Sequence, residues 1–254
     1  MTKNEIKTIQ SLKQARNRRE LGLFAVEGTK LIEELLTSSF IVENIFATEA
    51  WIEKNAQFAT TLRYENVSGK QMEQMSGMVT PPGILAIARI PRYDIIPEDA
   101  KNNIIIALDG INDPGNLGTI IRTADWFGIK NIVCSHDTAD YWQQKTIQSA
   151  MGSIFRTKII DCELISFLSK VKSLNIPIFG ALMQGKNIFS KKTPQNGIIV
   201  IGSESHGIKQ ETLPFITDPI HIPHINGSKT ESLNAAVAAA IIMAEFSRKN
   251  ISQH

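Results

Sequence analysis

Two short runs, Ile104-Ile105-Ile106-Ala107-Leu108 and Ile198-Ile199-Val200-Ile201, contain no polar residue. A strand with one wet face alternates apolar and polar side chains. Unbroken apolar strands of this length therefore fit a parallel sheet that is covered on both faces. Such a sheet needs crossover helices, and the surrounding pattern supplies them. Strands are predicted at 104–108, 130–135, 157–162, 177–183, 197–202 and 219–223, and helices at 116–127, 142–151, 163–174, 205–213 and 232–247. The expected fold class is α/β, a mostly parallel sheet with helices on both faces.

The residues before this alternation read as a smaller α/β domain. Ile6, Ile9 and Leu12 lie three apart and predict one helix over 3–20. A second helix is predicted over 27–36, followed by a strand at 42–47, a helix near 51–58 and a strand near 61–67. Ser68 then caps a helix over 69–75, and a strand at 84–90 closes the domain. The stretch around Pro91 and Pro97 has no apolar period and reads as a linker. The expected domains are residues 1–92 and 104–254, with 93–103 between them.

Charge says more by distribution than by total. The chain nets +2, yet residues 1–20 hold Lys3, Lys7, Lys13, Arg16, Arg18 and Arg19 against Glu5 and Glu20. A basic arm of this kind suits a phosphate backbone, and it equally suits a solvated first helix. No apolar run reaches the ~18 residues a membrane span needs. The charged start, Met-Thr-Lys-Asn-Glu-Ile-Lys, lacks the apolar core of a secretory signal. Cys134 and Cys162 are isolated, which argues against a disulfide framework and a metal cluster and points to the cytoplasm, with no membrane and no metal.

Three polar clusters follow apolar strands, where open α/β sheets place their ligands. The first is Asp109-Gly110-Ile111-Asn112-Asp113-Pro114-Gly115-Asn116, strong turn chemistry running into a helix that carries Arg122. The second is Gly202-Ser203-Glu204-Ser205-His206-Gly207. The third runs from Ile222-Pro223 through a polar loop to Ser232-Leu233-Asn234. If the strands are parallel, all three loops leave the same sheet edge. Neither Gly-x-Gly-x-x-Gly, nor a Walker lysine, nor a Gly-x-Ser-x-Gly elbow is present, which disfavours ordinary nucleotide sites and serine hydrolases. Ser203 and Ser205 stand beside His206, but adjacent side chains rarely face one another. Singly, each residue has a plainer job. Asn116 and Ser232 are good helix caps, Arg122 is placed to pair with Asp125, and Glu204 suits the start of a following helix. His206, His221 and His224 have no metal-ligand spacing.

Taken together and in order, the clusters resemble the SpoU (TrmH-like) family of RNA ribose 2′-O-methyltransferases, of the knotted SPOUT class. Asp113-Pro114-Gly115-Asn116-Leu117-Gly118 with Arg122-Thr123-Ala124 is similar to the family's first motif, Gly202 to Gly207 to its second, and Ile222-Pro223 with Ser232-Leu233-Asn234 to its third. Phe24-Ala25-Val26-Glu27-Gly28-Thr29-Lys30 resembles the opening of the substrate-binding domain found in many members. The loop before Ser232 is about two residues longer than the usual pattern, and Ser203 stands where asparagine is common.

The resemblance implies a carboxy-terminal trefoil knot, a homodimer with composite active sites, and S-adenosylmethionine as methyl donor. It implies donor contacts at Gly202, Ile222 and Leu233, and catalytic roles for Asn116, Arg122, Glu204, Ser232 and Asn234. The substrate implied is structured RNA, either ribosomal or transfer RNA with ribosomal RNA ranked first, and Lys13, Arg16, Arg18 and Arg19 are the expected RNA contacts. The family's proposal makes Arg122 the base, but a guanidinium stays protonated to pH above ~12 and is better suited to gripping phosphate through two bonds. Two other classes compete: an RNA-binding or ribosome-assembly factor without methyl transfer, and a methyltransferase acting on a base or a protein.

Overall fold

The computed structural model describes residues 1–190, 193–224 and 232–251. In chain order its elements are α1 (Lys3–Ser11), α2 (Ala15–Leu21), β1 (Leu23–Glu27), α3 (Thr29–Leu36), β2 (Val42–Ala47), α4 (Glu49–Lys54), α5 (Ala56–Ala59), β3 (Glu65–Asn66), α6 (Gly69–Met75) and β4 (Ile84–Arg89). There follow β5 (Ile104–Asp109), α7 (Pro114–Trp126), β6 (Asn131–Cys134), α8 (Gln144–Ala150), β7 (Lys158–Asp161), α9 (Leu164–Ser173), β8 (Ile178–Asn187), β9 (Gly197–Gly202), β10 (Asp218–His221) and α10 (Ala235–Ile251). Short 3-10 turns occupy Pro97–Lys101, Met151–Phe155 and Leu213–Phe215. The chain forms two compact units, residues 1–91 with 140–155, and residues 92–139 with 156–254. Residues 140–155, expected within 104–254, are thus compact with the first unit.

In the first unit a four-stranded sheet has the order β1-β4-β2-β3, antiparallel except for β2 with β3. Its core gathers Ile9, Leu12, Phe46, Val67, Met72, Met75, Leu85 and Ile87. Ser68 caps α6 in a reciprocal capping box with Gln71, as its sequence predicts. The helix expected over 3–20 is instead two helices. Leu12 is buried, and its carbonyl, freed at the end of α1, accepts from the Arg18 guanidinium at 2.6 Å. Arg18 also forms a 2.7 Å ion pair with Asp140, and only 4% of it is exposed. A side chain committed in this way is not presented to RNA, which removes Arg18 from the expected contacts. Lys13, Arg16 and Arg19 remain exposed. Strand β1 escaped prediction, and α3 begins two residues later than expected, after Gly28 at φ +100°.

The second unit holds a six-stranded sheet of order β10-β8-β9-β5-β6-β7, parallel throughout. Strand β9 is buried at every residue and β5 at all but its first, as their composition requires. The register sorts the faces. Gly180, Val200, Ala107, Val133 and Ile160 form one row, and its face packs on Leu164, Phe167, Leu168 and Val171 of α9. The neighbouring row, Phe179-Ile199-Ile106-Ile132, points the other way. There Phe246 of α10 meets the Phe179 ring with centroids 4.9 Å apart, and α10 packs beside α7. Helices therefore cover both faces. The helix expected over 205–213 is absent: residues 203–207 make a tight hairpin instead, closed by hydrogen bonds between Ser203 and Gly207. No helix among the described residues is long and apolar enough to cross a membrane.

Candidate active site

Because β5, β9, β8 and β10 are parallel, Asp109, Gly202 and His221 all lie at the carboxyl edge of the sheet. From this edge the three polar clusters emerge. Asp113 caps α7: its carboxylate accepts from the Asn116 N–H at 2.8 Å, and Pro114 occupies the first turn, where no N–H is needed. The predicted capping role of Asn116 thus falls to Asp113, which leaves the Asn116 amide available for other partners.

That amide joins all three clusters. Asn116 Nδ2 donates to Glu204 Oε1, 88 residues away in sequence, and Asn116 Oδ1 accepts from Asn234 Nδ2 at 3.0 Å, 118 residues away. Asn234 is itself the cap of α10, its Oδ1 accepting from Ala236 N–H at 3.0 Å and Val237 N–H at 3.3 Å. Ser232, predicted as that cap, lies exposed before the helix. The carboxylate, two amides and a helix N-terminus form one directed chain of donors and acceptors. It leaves Asn116 one further N–H and one further lone pair for a substrate hydroxyl.

Arg122 does not join this chain. Six residues along α7 from Asn116, it lies about 9 Å further on and about 120° around the axis, and it is exposed. Among the described residues it makes no ion pair. Its predicted partner Asp125 is engaged by Arg156 at 2.8 Å and Lys130 at 3.5 Å. Trp126, one turn beyond Arg122 on the same face, is 84% exposed.

The hairpin at the end of β9 is tight at its base. A Cβ on Gly202 would stand 2.0 Å from the Gly207 carbonyl carbon, so no larger residue fits there. Gly207, at φ +65°, closes the turn, while Glu204, Ser205 and His206 are exposed at its tip. Ser205 and His206 do face each other, Oγ to Nδ1 at 2.7 Å, contrary to expectation. Both are exposed, and among the described residues no carboxylate orients the imidazole. Ile222 is half-buried and Leu233 is 44% exposed.

Sequence reasoning missed a second network at this edge. Lys209 donates its backbone N–H to Asp109 Oδ2 at 2.9 Å, and its ammonium lies 3.4 Å from Asp109 Oδ1 and 2.8 Å from Asp137 Oδ1. Burial opposes the charge on Lys209, but the hydrogen bond to Asp137 and the neighbouring carboxylates outweigh it and raise the pKa. Burial likewise opposes the Asp137 charge, and the Lys209 and Ser135 hydrogen bonds outweigh it, holding that carboxyl below its usual range. The available signal was one acid, Asp109, at the end of an otherwise apolar strand.

Comparison with known proteins places these features in context. The sequence profile described as the SpoU rRNA Methylase family matches residues 103–244, and that of the MRM3-like substrate binding domain matches residues 3–86. The 23S rRNA (guanosine(2553)-2′-O)-methyltransferase RlmP of Bacillus subtilis (strain 168) is 29% identical, over 94% of each chain. A solved structure from Porphyromonas gingivalis, assigned to the TrmH family of RNA methyltransferases, is 31% identical with a TM-score of 0.86, covering 98% of this chain and 99% of that one. The AdoMet-bound rRNA methyltransferase from Sinorhizobium meliloti is 25% identical with a TM-score of 0.82, covering 98% of this chain and 96% of that one.

Proposed function

The chain belongs to the SpoU rRNA methylase family, and from that membership we propose that it is an S-adenosylmethionine-dependent methyltransferase acting on a ribose 2′-hydroxyl of ribosomal RNA. One observation carries the reading. Three clusters widely separated in sequence meet through the hydrogen bonds Glu204–Asn116–Asn234, at the sheet edge where ligands of such folds bind. The named ribosomal RNA methyltransferases among its relatives support the substrate class.

The residues present suit the methyl donor. Gly202 leaves bare backbone at the strand exit, and Ile222 and the exposed Leu233 offer apolar surface beside polar main chain. Bound there, S-adenosylmethionine supplies an electrophilic methyl group carried on a cationic sulfur. Asn116 and Ser232 orient the ribose, and Glu204 fixes the amide of Asn116 so that its remaining N–H and lone pair point at the hydroxyl. Arg122 holds a neighbouring phosphate with its planar fork rather than accepting a proton, and the proton that the hydroxyl gives up passes to solvent. Alignment of this kind supplies a large share of the rate in a displacement that otherwise needs two partners to meet.

Arg122 acts across a homodimer. It shares a face of α7 with the uncovered Trp126, so a second copy seated on that indole brings Arg122 to the interface and toward the partner's site. The knotted threading of the carboxy-terminal segment belongs to the same proposal. It is supported by α10, which follows the edge strand β10 yet packs on α7 and the central strand β9. Lys13, Arg16 and Arg19 contact the RNA backbone from the first unit.

The test is a map of 2′-O-methylated nucleotides in total RNA from cells with and without the protein. A site in ribosomal RNA that depends on the protein is expected, and identical maps would sink the proposal. Calorimetric titration with S-adenosylmethionine separates the enzyme from an assembly factor of the same fold, since absence of heat at millimolar donor favours the latter.

A further inference from the structure

Asp109 ends β5 with 1% of its surface exposed. A carboxylate at that depth carries a large desolvation penalty unless a cation and hydrogen-bond donors meet it. Lys209 supplies both, through its own N–H at 2.9 Å and its ammonium at 3.4 Å. The ammonium continues to Asp137, whose Oδ1 also accepts from the Ser135 hydroxyl at 2.7 Å. That hydroxyl in turn accepts from the Gly110 N–H at 2.9 Å. Gly110 has φ +75°, and a Cβ there would stand 3.0 Å from Asp137 Oδ2 and 3.4 Å from Lys209 Cε, so the network closes over a bare α-carbon. Three strand exits are tied together: that of β5, leading to Asn116; that of β6, carrying Ser135 and Asp137; and that of β9, carrying Glu204.

The position of Lys209 gives this network a further use. The hairpin bearing Glu204 has three exposed tip residues and is closed by Gly207, two residues before Lys209. Its orientation is therefore set at its base, where Gly202 and Ile208 are buried and Lys209 is anchored to Asp109. Glu204 must reach Asn116 from that base, and Asn116 stands on the helix that follows Asp109. Lys209 thus fixes the hairpin to the strand exit that leads to its target.

We infer that Lys209, clamped between Asp109 and Asp137, is a positioning residue for methyl transfer: it fixes the 203–207 hairpin so that Glu204 meets Asn116 and the Gly202 backbone keeps its place toward the donor. The inference rests on the methyltransferase reading. It differs from a stabilising role in what it demands: the hairpin's register, not the survival of the fold.

Full-length wild type, Lys209→Arg, Lys209→Met and the double variant Lys209→Met with Asp109→Asn separate the two. The readouts are S-adenosylmethionine affinity by calorimetry, kcat and KM for RNA by radiolabelled methyl transfer, melting temperature, and hydrogen exchange at the Ser203 and Gly207 amides. Lys209→Met is expected to lower kcat at least tenfold and weaken donor binding severalfold, with KM for RNA within about twofold. The double variant, which removes the stranded buried charge, recovers the melting temperature but not kcat. Lys209→Arg keeps the cation and recovers most of kcat. An unchanged kcat in Lys209→Met, or a kcat that simply follows melting temperature across the variants, overturns the inference. A wild type that transfers no methyl group refutes the methyltransferase reading instead. In that event hydrogen exchange still decides the positioning role: amides at Ser203 and Gly207 that stay as protected in Lys209→Met as in wild type overturn it.

Discussion

Replacing Arg18 with alanine removes a guanidinium that is 4% exposed and breaks two contacts at once, the 2.7 Å ion pair with Asp140 and the 2.6 Å hydrogen bond to the Leu12 carbonyl. Cutting a buried ion pair from one side costs about 3–5 kcal/mol, because the surviving charge stays desolvated. Asp140 keeps one donor, the Trp142 N–H at 2.8 Å, and its side chain is 15% exposed, which puts the loss at the low end. The expected destabilisation is about 3 kcal/mol. Equilibrium urea unfolding followed by tryptophan fluorescence measures it, since Trp142 stacks on Phe24 in the same unit. Arg19→Ala, at an exposed position, should stay within about 0.5 kcal/mol of wild type. Pairing Arg18→Met with Asp140→Asn removes the stranded charge and should restore at least half of the loss. The reasoning fails if Arg18→Ala loses less than about 1 kcal/mol and flattens the salt dependence of RNA binding as much as Arg19→Ala does. Arg18 would then be an RNA contact after all.

If Lys13, Arg16 and Arg19 each meet a phosphate, converting all three to alanine should make the slope of log affinity against log salt shallower by roughly 2–3 units, and an unchanged slope returns the arm to a solvated surface. Arg122→Lys keeps the charge but loses the planar fork; kcat should fall more than tenfold, and near-wild-type turnover would rule out two-bonded phosphate grip. Gly202→Ala forces a Cβ to 2.0 Å from the Gly207 carbonyl carbon, so S-adenosylmethionine affinity should drop at least tenfold in calorimetry, with about 1–3 kcal/mol of lost stability. Burial, with the nearby Asp161 and Glu163 charges, pushes the Cys162 thiol up to about 11, so native protein should resist iodoacetamide at neutral pH and react only on unfolding. Rapid native labelling would show that this strand end opens.

The apolar runs 104–108 and 198–201 determined a sheet buried on both faces, because no strand with a wet side tolerates them. The turn residues after those strands placed the polar clusters, and parallel pairing sent them to one edge. Tertiary structure alone decided which atoms meet. Asn116 reads as a cap because asparagine caps well; only the fold gives that task to Asp113 and turns the Asn116 amide to Glu204 and Asn234. Arg18 reads as one cation in a basic arm, and only the return of residues 140–155 to the first unit buries it against Asp140. The Asp109–Lys209–Asp137 network joins residues 28 to 100 positions apart, which no local period records. Periodicity reports how a segment meets its solvent and its core. A hydrogen bond between distant side chains depends on where the backbone brings them, and that is settled only when the whole sheet has closed.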